Sequence, residues 1–76
     1  MNISNIINVI SVDHNTDVKF IYSYPDTPEG NEEANKKFAE LAKMEGADND
    51  DMAGYINDGR YVNGYNGRSI QMLQSE

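Results

Sequence analysis

The sequence predicts an α+β domain: a small antiparallel sheet in the order ββααβ, covered on one face by one main helix and a short second helix. Three observations predict it. Residues 17–24 alternate, with Val18, Phe20, Tyr22 and Tyr24 on one side and Lys19, Ile21 and Ser23 on the other, the period of a strand. Ala34, Phe38, Leu41 and Ala42 recur at helical spacing between a strong start signal and a glycine, the period of an amphipathic helix. Residues 59–76 hold Asn63-Gly64 and Asn66-Gly67 before an apolar alternation, a turn-then-strand pattern. A chain of 76 residues has room for a single domain, 1–76.

The first element is read as a strand over residues 5–12. Ile3, Ile6, Ile7 and Ile10 also fall at helical spacing, but the density of β-branched residues, with Asn and Ser among them, favours the extended form. Asp13-His14-Asn15-Thr16 makes a turn, because short polar side chains bond their own backbone. The second strand, 17–24, pairs back as a hairpin and ends at Pro25, which cannot donate to a ladder. Its aromatic face is expected to pack on Phe38 and Leu41.

Thr27 can cap the main helix with Pro28 in the first position, Asn31 being a second candidate cap. The helix runs to about Glu45. Glu29, Glu32 and Glu33 suit the positive end of its dipole, Lys43 the negative end, and Gly46 the left-handed stop. Glu32–Lys36, Glu33–Lys37 and Glu40–Lys43 can pair along its surface, each contributing about 0.2–0.5 kcal/mol. Asp48 or Asn49 can cap a short second helix that stops at Asp58-Gly59. The last strand is 69–74, with Arg60–Val62 as an optional extra one.

Composition narrows function by exclusion. No cysteine is present, which removes disulfides and thiolate metal sites. The N-terminus has no basic segment leading into an apolar one, and no run reaches the roughly 20 apolar residues of a membrane span; the expected location is cytoplasmic, with no membrane partner. A net charge of −7 opposes direct nucleic-acid binding. The acids of 48–59 suggest a calcium loop, but an EF-hand needs Gly at its sixth position and Glu at its twelfth. Counting from Asp48 those positions hold Ala53 and Gly59; from Asp50, Tyr55 and Tyr61. His14 beside Asp13 and Asp17 lacks a pocket that would make it a base, and no nucleophile or phosphate-loop motif occurs. The reading is a non-enzyme, with no catalytic residue, metal or cofactor.

Two features remain. Residues 26–58 carry ten acids against Lys36, Lys37 and Lys43, with Asp26, Glu29, Glu45, Asp48, Asp50, Asp51 and Asp58 unpaired by local spacing. Residues 54–67, GYINDGRYVNGYNG, have the Tyr/Asn/Gly composition of binding loops. In general character, and on these two features, the chain resembles the small acidic inhibitors that phages make against host defences, of the anti-restriction and anti-CRISPR type. Three lysines in its acidic segment set it apart from those that mimic DNA. The resemblance implies a protein that binds and blocks a defence or nucleic-acid-processing protein with a basic surface. The expected contact set is Glu45, Asp48, Asp50, Asp51, Asp58, Arg60, Tyr61 and Tyr65. The alternative is a structural or accessory subunit, such as a homodimer joined through a sheet edge.

Overall fold

The computed structural model describes residues 5–75; Ile3 and Glu76 lie outside the described residues. The element order is β1 (Ile6–Asp13), β2 (Val18–Pro25), α1 (Pro28–Met44), a 3-10 turn (Asn49–Asp51), α2 (Met52–Asp58), β3 (Arg60–Asn63) and β4 (Arg68–Ser75). The strands form one four-stranded sheet in the order β2-β1-β4-β3, antiparallel at every junction. The optional strand at Arg60–Val62 therefore exists, extended to Asn63, and pairs with β4 as a second hairpin.

The two hairpins use the same turn. Each joins its strands through a four-residue loop, with Asp13 facing Val18 in one and Asn63 facing Arg68 in the other. The residue before each loop caps it: Asp13 Oδ1 accepts from the Asn15 N–H at 3.0 Å, and Asn63 Oδ1 accepts from the Tyr65 N–H at 3.0 Å. The fourth loop residue is left-handed in both, Asp17 at φ 59° and Gly67 at φ 66°. Aspartate tolerates that region better than most side chains. Because β1 and β4 are neighbours, the turns meet: the His14 N–H donates to Gly67 O at 2.7 Å, and Asn15 Nδ2 donates to Asn66 O at 2.8 Å.

The main helix starts and stops as its sequence requires. Thr27 Oγ1 accepts from the Gly30 N–H at 3.0 Å, with Pro28 in the first turn. Gly46, at φ 96°, turns the chain out one residue beyond the Glu45 C-cap. The second helix opens differently from expectation: Asp48 begins the 3-10 turn without a side-chain cap bond. Gly59, at φ 69°, ends α2.

The helices cover one face of the sheet. Ile7, Val9 and Ile70 project into the core with Ala34, Phe38, Ala42 and Met52, flanked by half-buried Tyr22, Tyr24, Tyr61 and Met72. Alternation sends Ile6, Ile10, Val12, Ile21, Val62 and Leu73 to the uncovered face. β1 is a central strand apolar on both faces, which is why its sequence lacks a clean period. One expectation is corrected here. Phe20 shares a face with Tyr22 but remains 57% exposed, because the helix stripe ends before reaching it. A second concerns the helix surface: the ion pair along α1 among the described residues is Lys37–Glu40, at 3.7 Å. Lys37 is held near Glu40 because its ammonium also lies over the Tyr22 ring, 4.8 Å from the centroid, a cation–π contact.

Candidate functional site

Part of the acidic segment and part of the tyrosine-rich one meet where α2 docks on β3. The 3-10 turn presents Asp50 and Asp51, with Asp48 just before it, all exposed. From there α2 carries Tyr55 back towards β3, where its ring meets Tyr61 edge-on at 4.8 Å between centroids. Asp58, Arg60 and Val62 complete a shallow depression of about 460 Å³ around the two rings. Burial raises the Tyr55 hydroxyl above the ordinary tyrosine range, and the carboxylates of Asp51 and Asp48 add to the effect. Asp58, Arg60 and Tyr61 therefore share one depression with Tyr55, while Asp48, Asp50 and Asp51 stand exposed at the turn that leads into α2.

The other two expected contact residues fall elsewhere. Tyr65 is fully exposed at the β3–β4 turn. Glu45 is not an unpaired acid, and this reading is corrected. Its carboxylate accepts from Arg68 Nη1 at 3.1 Å, with the Glu45 side chain only 13% exposed. It also accepts from Asn66 Nδ2 at 3.3 Å. The Glu45 carbonyl accepts from the Tyr61 hydroxyl at 3.4 Å and from Asn63 Nδ2. Glu45 thus ties the end of α1 to the second hairpin. Tyr61 is divided between this tie and its half-exposed ring.

Arg68 bridges two acids, its Nε lying 3.4 Å from Asp13 Oδ2. The Asp13 carboxyl sits below the ordinary aspartate range, first because the Asn15 N–H bonds it, then because the Arg68 charge attracts it against the opposing effect of desolvation. A depressed folded-state value stabilises the fold above the ordinary aspartate range and loses that contribution as pH falls through the folded value. Asp13→Asn keeps the turn cap but removes the charge. The melting temperature of Asp13→Asn is expected to lie below that of the parent at pH 7, with the gap closing as pH falls past the ordinary aspartate range and through the lowered folded value.

A groove beside this cluster was not legible in the sequence. Val18, Phe20, Tyr22, Leu41 and Met44 wall a cavity of about 390 Å³ that ends at Asp13, Glu45 and Arg68. It forms because the apolar face of β2 continues past the last buried turn of α1, leaving Phe20 and Met44 without a cover. The signal lay in comparing lengths: four alternating residues on β2 face a helix stripe that stops at Ala42.

Among the described residues, no group of three or more His, Cys, Asp or Glu is placed to hold a metal ion. His14 lies in the first turn with its Nε2 2.9 Å from Ser69 Oγ. Among the described residues, no helix is long and apolar enough to cross a membrane.

Fold and site together define a two-layer α+β protein with an acidic helical layer, an uncovered sheet face and a tyrosine-centred patch at one end. Comparison with protein families, curated proteins and solved structures finds no match to this chain.

Proposed function

We propose that this chain is a non-enzymatic protein-binding module that occludes a basic surface on its partner, of the kind carried by host-defence and nucleic-acid-processing proteins. The observation that supports it is the segregation of charge between the layers. The segment 26–58, which supplies both helices, has ten acids and three lysines. The strands and their turns, by contrast, carry Asp13 and Asp17 against Lys19, Arg60 and Arg68. The uncovered sheet face has Lys19 and Arg60 and no acid among its described residues. Charge spread for solubility alone has no reason to separate in this way, whereas a one-signed face steers association with an oppositely charged one.

In this reading the exposed Asp48, Asp50, Asp51 and Asp58 orient the encounter, and Tyr61, Arg60 and Tyr65 supply contact area. Tyr and Arg are over-represented among residues that dominate binding energy. The acidic surface excludes nucleic acid from the partner by occupying its basic groove.

The test is capture of partners from bacterial lysate on the immobilised protein, washed at low and high salt with and without nuclease. A stoichiometric basic partner, released by salt and unaffected by nuclease, is expected. With that partner, the double substitution Asp50→Lys and Asp51→Lys should slow association by about tenfold or more at low salt. The difference should shrink as salt shortens the Debye length to roughly 3 Å at 1 M. An unchanged association rate at low salt would overturn the steering role of the acidic turn.

A further inference from the structure

We infer that the free edge of β2 is a self-pairing surface: two copies of this chain join antiparallel about a two-fold axis through Ile21. The sheet has two edges, β2 and β3. β3 is four residues long and flanked by α2, while β2 is eight residues long, with no bulge in its pairing to β1 and proline confined to its last position. An eight-residue edge blunted only by Lys19 and by Pro25 at its end remains a template for another strand.

The groups on that edge can be named. The Asp26 N–H donates to Asn5 O at 3.0 Å, and these two residues continue the β1–β2 register in which Ile6 faces Pro25. Residue 26 is thus in a hydrogen-bonded pair. Alternation along an antiparallel ladder then turns the backbone groups of Tyr24, Tyr22, Phe20 and Val18 towards β1. The N–H and C=O of Lys19, Ile21 and Ser23 point outwards, and Pro25 offers only its carbonyl.

A strand that pairs with its own copy must place outward groups opposite outward groups. Centring on Ile21 does this for every free donor: Ile21 faces its copy, and Lys19 faces Ser23 in both directions. Shifting the centre to Phe20 sets Ser23 opposite the left-handed Asp17, and shifting it to Tyr22 sets Lys19 opposite Pro25, which has no N–H to give the Lys19 carbonyl. The side chains agree with the same centre. Phe20, 57% exposed, falls opposite Tyr22 of the second copy, and Val18, 45% exposed, opposite its Tyr24. On the uncovered face Ile21, 59% exposed, meets itself. Aromatic and β-branched cross-strand pairs are the favourable ones. The single charge on the edge, Lys19, lies opposite an uncharged serine, so this acidic chain brings no like charges together within the strand pair. The acidic patch lies at the β3 end of the sheet, so pairing at β2 leaves it accessible on both copies.

The chain contains no cysteine, which makes a single introduced thiol a clean probe. In a hydrogen-bonded pair the two Ile21 Cα atoms stand about 5.5 Å apart, within reach of a short bis-maleimide. Ile21→Cys is expected to cross-link to a covalent dimer, whereas Val62→Cys, 50% exposed on β3, is not. Sedimentation of the unmodified protein up to about 1 mM should give a monomer–dimer equilibrium. Ile21→Lys sets two ammonium groups face to face on the axis, and should return the protein to monomer with an unchanged melting temperature under dilute conditions. A strict monomer over that range overturns the inference, as does a dimer that survives Ile21→Lys, or equal cross-linking from both cysteines.

Discussion

Replacing Gly30 by alanine is expected to destabilise the fold by about 3 kcal/mol or more, the upper range for forcing extra volume into a packed site. Gly30 is buried in the first turn of α1. A Cβ there would overlap the carbonyl oxygen of Pro25 and stand 2.8 Å from its carbon. The obstacle is backbone, and it is held in place, since the same oxygen accepts from the Thr27 N–H at 2.9 Å. Relief requires moving either the end of β2 or the start of the helix, which would pull the Thr27 cap apart. Helix propensity alone predicts the opposite sign, because alanine is favoured over glycine by about 1 kcal/mol within a helix. Gly54 in α2 isolates that propensity effect. Nothing approaches its would-be Cβ within 4 Å, so Gly54→Ala should stabilise by up to about 1 kcal/mol. Urea unfolding of the two variants against the parent checks both signs at once. A Gly30→Ala protein as stable as Gly54→Ala would refute the close approach of β2 to the helix.

Phe38→Ala is expected to cost about 3–5 kcal/mol, the usual range for emptying a buried aromatic site. Phe38 is fully buried at the centre of a core that also contains Val9, Ile70 and the small residues Ala34 and Ala42. Those alanines let the helix approach the sheet closely, so Phe38 is the one large side chain α1 buries completely. A domain of this size has a total stability of roughly 4–11 kcal/mol at 0.05–0.15 kcal/mol per residue. Losing the Phe38 ring therefore removes a large share, and partial unfolding at 37 °C is expected by circular dichroism. Phe20→Ala is the matched control. It removes the same ring from the same side of the sheet but from a half-exposed position, and should cost below about 1 kcal/mol. Similar losses for both would mean that the groove over Phe20 is filled in solution.

These contrasts divide what was legible from what was not. The long helix could be read because its signals are local: a threonine cap, a proline in the first turn, an apolar stripe and a glycine stop all lie within 20 residues of one another. β2 was legible from its alternation, and β4 from the turn residues before it. The ion cluster was not. Glu45 and Arg68 are 23 residues apart, and Arg68 and Asp13 are 55 apart, so no spacing rule connects them. Glu45 looks unpaired in the sequence for that reason alone. The acidic patch was half legible. Asp48, Asp50, Asp51 and Asp58 announce themselves by density, but only the docking of α2 on β3 sets Asp58 in one depression with Tyr55, Tyr61 and Arg60.

The sequence by itself determined the α+β class, the bounds of α1 and β2 to within a residue, the turn positions and the concentration of acid in the middle of the chain. Each depends on residues near one another, where capping, periodicity and backbone preference act. The tertiary structure alone decided the strand order β2-β1-β4-β3, the exposure of Phe20, the close approach at Gly30 and the internal role of Glu45. Those features follow from β4 pairing beside β1 and from the two helices packing on one face of the sheet. Their physical cause is the matching of distant surfaces, which local sequence preferences do not encode.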